Sequence, residues 1–391
     1  MKTVIIGGVA GGATAATRLR RLDEQMEIVV FERGEYISYA NCGLPFYVGD
    51  VIKERDSLLV TKPEAMRDRY HVDVRIRSTV TRIDRLKKTV TVSSEGKEYK
   101  ESYDNLLIAT GSSPIRPNIP GIDLDGIYTV WTVPDVDRIR AAVDSGKAES
   151  AVVIGGGFIG IEMAENLRAR GLQVDLAESM DQVMAQFDFE MAQLLHENIE
   201  ANGVGLHLHD GVAAFERTEG GKLSVKLSSG AVLTADMAVL AIGVRTNSQL
   251  AKEAGLAMNE HGSVIVNEEM QTSDPHIWAV GDVVQSTNRI TGGVSSIRLA
   301  GPANKQARVA ANNIAAVSNP KAGYPKDTYD GVLGTSVVQV FDLTAAATGI
   351  RETELQAAGK QKRRDYETVL IVQKSHAGYY PLATQMYNVR V

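Results

Sequence analysis

The chain has 391 residues, too many for one ordinary hydrophobic core, so two or three domains are expected. Hydrophobic residues at 44%, charged residues at 23% and a net charge of −6 describe an ordinary globular protein with no basic surface for nucleic acid. A single cysteine excludes an intrachain disulfide framework and a cysteine-rich metal site, and no apolar run nears the ~20 residues of a membrane span.

Met1-Lys2-Thr3 leads straight into Val4-Ile5-Ile6, a short apolar run that reads as a strand buried on both faces of a parallel sheet. This start leaves no room for a secretory signal, and a reducing cytoplasm is the expected location. The loop Gly7-Gly8-Val9-Ala10-Gly11-Gly12 precedes a helix from about Gly11 to Leu22. Ile28-Val29-Val30-Phe31 is a second buried strand and closes on Glu32, with Arg33 next. Strands are expected over Val72–Ile76 and Lys88–Val92, and Leu106-Leu107-Ile108-Ala109 runs into the turn Thr110-Gly111. Pro114, Pro117 and Pro120 then mark a crossing between domains.

The same order repeats. Ala151–Ile154 is a strand, Gly155-Gly156-Gly157-Phe158-Ile159-Gly160 a loop, Ile161–Arg170 a helix, and Val174–Ala177 a strand closed by Glu178. Ala238-Val239-Leu240-Ala241-Ile242-Gly243 echoes Leu106–Gly111. A whole nucleotide-binding unit is duplicated, which is the strongest organisational signal in the chain. Ile277-Trp278-Ala279-Val280-Gly281-Asp282 returns to a helix from about Pro302 to Ala316. Asn319–Pro325 reads as a linker, and the tail from Thr335 as a strand-rich third unit whose last segment, from Gln385, has few partners.

In the first loop Gly7 permits a tight turn and Gly12 close helix–strand packing, so unpaired N–H groups at the helix start face a pyrophosphate. Val9 replaces the usual middle glycine. Glu32, 20 residues beyond Gly12, is placed to bond a ribose hydroxyl. The second loop is a full match, with Gly155, Gly157 and Gly160 followed by Glu162, and Glu178 stands 18 residues past Gly160. A carboxylate there accepts from a 2′-hydroxyl and repels a 2′-phosphate, so NADH is preferred to NADPH. Taken alone, Cys42 reads as a small buried hydrophobe, Asp282 as a turn residue, and the arginines of the first helix as a solvated face.

With two glycine loops, two closing acids and the Trp278–Asp282 segment in order, the chain resembles the two-dinucleotide-fold flavoprotein disulfide reductases over nearly its whole length. The resemblance implies an α/β protein with two Rossmann-like domains and a partial α+β interface domain. It implies FAD at Gly7, Gly8, Val9, Ala10, Gly11, Gly12, Glu32, Arg33, Thr110, Gly111 and Asp282. The nicotinamide nucleotide would take Gly155, Gly157, Gly160, Glu162, Glu178 and Gly243. Expected domains are 1–112 and 244–320 for FAD, 113–243 for NAD(P)H, and 321–391 for a shortened interface domain.

Better-known members carry two cysteines four residues apart; here the first position is Ser38 and the second Cys42. This resembles the single-cysteine branch of coenzyme A-disulfide reductases, NADH-dependent persulfide reductases, NADH oxidases and NADH peroxidases. In these a lone sulfur cycles through a mixed disulfide, a persulfide or a sulfenic acid, and the thiolate is the competent form. Asn41-Cys42-Gly43-Leu44-Pro45 reads as a turn into a helix with the sulfur at its positive end. Oxidases and peroxidases place a histidine in the first loop where this chain has Ala10, which favours reduction of coenzyme A disulfide, a persulfide or polysulfide.

The resemblance further implies substrate contacts from Arg18, Arg21, Ser38, Tyr39 and Asn41, and catalytic roles for Cys42 and for Tyr379 across a dimer interface. Arg18 and Arg21 share a helix face, and guanidinium groups suit coenzyme A phosphates. Lys305 and Arg308 read as solvated. Expected partners are a small disulfide or persulfide, with coenzyme A as bound substrate or adduct, and a second copy of the chain if the short interface domain suffices. No metal, nucleic acid or membrane is expected. Two alternatives stand: an oxidase or peroxidase using a Cys42 sulfenic acid, and a flavin redox sensor with little turnover.

Overall fold

The structure, a computed structural model, describes residues 1–295, 297–324, 326–374 and 386–390. The chain forms two compact units, one of Met1–Pro117, Tyr128–Ala148 and Ile242–Leu333, the other of Asn118–Ile127, Glu149–Ala241 and Gly334–Val391.

In the first unit five parallel strands run in the order Ile277–Ala279, Asn105–Ile108, Lys2–Ile6, Glu27–Phe31, Asp73–Arg75. Val4 pairs with Val29 on one side and Leu106 on the other, so Lys2–Ile6 is central. Its apolar run is unbroken because both faces of the strand are covered; Val4, Ile5, Val29, Leu106 and Leu107 are buried. The helices Ala10–Leu22 and Ala300–Ser318 pack along each other. Two side-chain bonds tie them: Thr14 Oγ1 to Asn304 Oδ1 at 2.9 Å and Arg18 Nε to Asn312 Oδ1 at 2.9 Å. An antiparallel sheet of Ser78–Asp84, Thr89–Ser94 and Lys97–Ser102 completes the unit; sequence marks only its middle strand.

The second unit repeats the plan. Val204–His207, Gln173–Ala177, Ser150–Ile154 and Met237–Leu240 are parallel, and Val152 pairs with Asp175 and Ala238. Loop bonds recur as well. Gly7 N–H donates to Phe31 O at 2.8 Å, as Gly155 N–H does to Ala177 O at 2.8 Å. Ala109 N–H donates to Ile6 O at 2.8 Å and Ala241 N–H to Ile154 O at 2.7 Å. Both units are Rossmann-like α/β folds.

The tail carries the hairpin Ser336–Val340 and Leu343–Ala347, then a helix, Glu352–Ala357, that its strand-rich pattern does not announce. The final segment, expected to have few partners, is paired: Met386–Arg390 runs antiparallel to Leu370–Lys374, from Leu370 opposite Arg390 to Lys374 opposite Met386.

Candidate functional site

Both glycine loops are shaped by the chain before any ligand is considered. Gly7 has φ +103°, and a Cβ there would fall 2.2 Å from Ala109 O. A Cβ on Gly12 would fall 1.8 Å from Gly7 O, and one on Gly160 would fall 1.8 Å from Gly155 O. These two glycines let each helix begin directly beneath its loop. The Ala10–Leu22 helix is capped by Val9 and the Phe158–Ala169 helix by Gly157, neither with a side-chain bond nor an acidic residue in the first turn. The first-turn N–H groups are left for an anion. Val9 departs from the usual motif and holds φ −90° and ψ −137°, a negative-φ conformation that does not itself require glycine. At the matching Gly157 an added Cβ meets nothing within 4 Å. Protein packing therefore does not require glycine there.

Each strand-end carboxylate ties its own loop. Glu32 Oε2 accepts from Gly8 N–H at 2.8 Å and Oε1 from Gly34 N–H at 2.7 Å. Glu178 Oε2 accepts from Gly156 N–H at 2.6 Å and Oε1 from Met180 N–H at 2.8 Å. At Glu32 each oxygen keeps a lone pair with which to accept a ribose hydroxyl; at Glu178 Oε1 also accepts from Ser179 Oγ at 3.1 Å, which leaves the spare lone pair on Oε2. Beyond each acid the chain folds back: Ser38 N–H donates to Gly8 O at 3.0 Å, and Met184 N–H to Gly156 O at 2.7 Å. Both donors hold positive φ, 45° at Ser38 and 50° at Met184. Ile37 and Val183, both buried, close over the second glycine of their loops.

Asp282 lies in a short 3₁₀ turn, Gly281–Val283, behind the first loop. Burial pushes its carboxyl up, opposed by the bond from Ser112 Oγ at 2.6 Å. Ser112 stands 170 residues away in sequence and carries no motif of its own. Gln306, itself buried, accepts from Gly281 N–H at 2.8 Å and so fixes the turn. Thr110 Oγ1 donates to Asn247 O at 2.8 Å, and Asn247 N–H donates to Gly111 O at 2.9 Å. Arg33 donates to Ser113 Oγ at 3.1 Å. An open helix start, a ribose-competent carboxylate and a buried second carboxylate fit a dinucleotide carrying a polyhydroxyl chain, which FAD is.

Cys42 is exposed, so its ordinary reading as a buried hydrophobe does not hold. It lies in the 3₁₀ turn Asn41–Gly43 ahead of a five-residue helix, Leu44–Val48, the turn into a helix that the sequence suggests. Tyr39 is largely buried; its hydroxyl donates to Trp131 O at 3.3 Å and bonds the Asn41 side chain. Burial, then the charge of Glu32, pushes the Tyr39 hydroxyl up to about 12. Tyr39 is therefore neutral at ordinary pH.

Arg18 and Arg21 line a cavity of about 480 Å³ together with Thr14, Asn312 and Arg308. Arg308 and Lys305 are both exposed, as the sequence reading expects, and of the two only Arg308 also borders the cavity. Arg18 uses Nε on Asn312, and Asn312 Nδ2 donates to Asp327 Oδ2 at 3.1 Å, which braces that guanidinium. Asp327 also lines the cavity, so three guanidinium groups face one carboxylate there, and the excess of positive charge suits a polyphosphate.

In the second unit Glu162 follows the loop on the Phe158–Ala169 helix. Burial first, and then Glu165, push its carboxyl up to about 7. Gly243 has φ +109°, and its carbonyl accepts from Ile115 N–H at 3.0 Å. Tyr379 lies outside the described residues. Among the described residues no three His, Cys, Asp or Glu side chains form a metal cluster, and no helix is long and apolar enough to cross a membrane.

A family model described as pyridine nucleotide-disulphide oxidoreductase matches residues 1–307. The chain is 32% identical over 388 residues to a coenzyme A disulfide reductase of Staphylococcus haemolyticus, across 99% of this chain and 83% of the relative. It superposes with a TM-score of 0.93 at 47% identity on reduced Bacillus anthracis CoADR-RHD, covering 100% of this chain and 68% of that one. A NAD-dependent persulfide reductase from A. fulgidus gives a TM-score of 0.93 at 37% identity, with 100% and 71% covered.

Proposed function

The chain belongs to the pyridine nucleotide-disulphide oxidoreductases, and from that membership we propose that it reduces a coenzyme A-linked disulfide or persulfide with NADH through the single thiol of Cys42. The observation that carries this reading is the exposed thiol on a segment hydrogen-bonded, through Ser38, to the first dinucleotide loop.

FAD, when bound, supplies the two-electron relay between a nicotinamide and sulfur. The residues that would hold it are Gly7–Gly12, Glu32, Arg33, Thr110, Gly111 and Asp282; Gly155, Gly157, Gly160, Glu162, Glu178 and Gly243 would hold NADH. Cys42, as thiolate, attacks one sulfur of the substrate; the S–S bond breaks, and the departing thiolate takes a proton. Two electrons from NADH then cleave the Cys42–substrate bond, release the second thiol and restore the Cys42 thiolate. Asn41, held by Tyr39, and Ser38 orient the incoming sulfur. Arg18, Arg21 and Arg308 bind the phosphates far from the reacting bond. Tyr379 is assigned to protonate the leaving thiolate, acting within a homodimer in the cytoplasm.

Anaerobic steady-state kinetics with coenzyme A disulfide, coenzyme A persulfide and inorganic polysulfide test the proposal. Turnover of at least one coenzyme A substrate above polysulfide is expected. Oxygen consumption exceeding all three would replace this reading with the oxidase chemistry of a Cys42 sulfenate.

A further inference from the structure

The Phe158–Ala169 helix carries two carboxylates one turn apart, Glu162 and Glu165, and they meet different parts of the second unit. Glu162 is the fifth residue of the helix, just past the glycine loop. No hydrogen bond or ion pair reaches its carboxyl among the described residues. Glu165 turns to the tail: its Oε2 accepts the N–H of Phe341 at 3.0 Å. Phe341 holds φ 54° in the turn between Ser336–Val340 and Leu343–Ala347. From the opposite side, Asn198 Nδ2 donates to Val340 O at 2.7 Å. The hairpin tip is thus gripped by two helices of the nucleotide-binding fold. Such a grip is more than surface packing needs, and one of its two holds is a charge.

We propose that Glu165 is a positioning residue: bonded to the Phe341 amide, its carboxylate adds to burial in holding the proton on Glu162 one helical turn away and so ties nucleotide capture to docking of the tail hairpin. This deepens the reading that Glu162 belongs to the nicotinamide site and rests on it.

The neighbours leave Glu165 as the controlling charge. The strands against this helix are Ser150–Ile154, Gln173–Ala177, Met237–Leu240 and Ser336–Val340, and the one charged residue among them is Asp175. Asp175 is engaged by His207 Nε2 at 2.8 Å. Asp342 follows Phe341 in the turn, and Arg168 follows on the helix itself, where its guanidinium is bonded to Asn202 O and Leu172 O. With the hairpin docked, burial pushes the Glu165 carboxyl up and the Phe341 N–H opposes that push; once Glu165 is ionised, its like charge at this spacing adds to burial in opposing proton loss from Glu162. With the hairpin released, Glu165 is exposed to water, its field is screened, and Glu162 becomes more acidic.

Carboxyl-carbon NMR of the full chain, with glutamate labelled, reads the Glu162 titration directly and needs no turnover. Glu165→Gln keeps an oxygen for the Phe341 amide and removes the charge; the Glu162 midpoint should fall by about half a pH unit or more. Asn198→Ala, which loosens the hairpin without touching this helix face, should move it the same way. Calorimetry of NAD⁺ binding against pH should show its midpoint moving in step. An unmoved Glu162 midpoint in both variants overturns the coupling. The site assignment is tested separately by Glu162→Gln: an unchanged pH profile of NAD⁺ affinity would remove Glu162 from the nucleotide site and overturn the link to nucleotide capture, whatever the NMR midpoint does.

Discussion

Gly8 and Ile37 touch so closely that a Cβ on Gly8 would lie 2.7 Å from Ile37 Cγ2. This contact joins the first dinucleotide loop to the segment that carries the thiol, because Ser38, the next residue, also bonds Gly8. The loop and Cys42 are thereby one mechanical piece.

Gly8→Ala should therefore injure both. Overpacking of this kind costs about 1–3 kcal/mol, read as a lower melting temperature, and flavin content should fall with it. Ile37→Leu in the same chain removes the clashing Cγ2 at equal volume and should recover part of both losses. A Gly8→Ala protein with full flavin content and an unchanged melt would show that the loop yields more easily than its geometry indicates.

Cys42→Ser should keep flavin and NADH-to-flavin reduction while losing disulfide and persulfide turnover, since only the sulfur step needs a nucleophilic thiol. Stopped-flow reduction alongside thiol release separates the two half-reactions. Retained coenzyme A-disulfide reduction would remove Cys42 from the chemistry.

Replacing Arg18, Arg21 and Arg308 singly by alanine should raise KM for coenzyme A substrates, with kcat and polysulfide kinetics little changed. Contacts made equally in ground and transition states appear in KM. Each charge-assisted contact is worth about 1.5–3 kcal/mol, or roughly 10- to 100-fold in KM. Arg308 gives the sharper test, because only its place beside the cavity, and no sequence pattern, assigns it.

Glu178→Gln should narrow the preference for NADH over NADPH by roughly tenfold, because it removes the charge opposing a 2′-phosphate while an amide oxygen still accepts from Gly156. Flavin reduction rates at low nucleotide concentration give the ratio. An unchanged ratio would place the discriminating residue elsewhere.

Glu162 makes stability depend on pH in a definite direction. Its carboxyl is raised from 4.5 to about 7, so between those values the folded chain holds a proton that the unfolded chain has lost. Stability should fall as pH rises through that window and level off above it. Glu162→Gln abolishes this slope. The variant should exceed the parent by about 1–3 kcal/mol at pH 8 and match it near pH 4.5, as measured by urea unfolding at both values. A parent whose stability is flat between pH 5 and 7 would contradict the burial of this carboxyl.

Sequence discloses most of what is local and repeated here. The glycines, the strand-end acids Glu32 and Glu178, and the apolar strands between them occur twice in one order, and the folded units repeat them bond for bond. It is silent where a site is assembled from distant segments. Ser112 reaches Asp282, Gln306 holds Gly281, and Arg308 joins Arg18, all through contacts that no spacing rule encodes. Val9 misleads in the other direction: it breaks the glycine pattern, although its negative φ of −90° does not call for glycine. The Phe341 turn is hidden for a further reason, since its hold on Glu165 uses a backbone N–H that every residue but proline possesses.

The two halves also serve as each other's control. Cys42 stands ten residues past Glu32, and Asp188 ten past Glu178. On matching scaffolds, one position presents a thiol and the other caps a helix, its carboxylate accepting the Glu352 N–H at 3.0 Å. Gly156→Ala delivers to Val183 nearly the same insult that Gly8→Ala delivers to Ile37, 2.8 Å against 2.7 Å. The difference between those two variants, measured in one molecule, isolates what carrying a reactive sulfur adds to the tolerance of a loop.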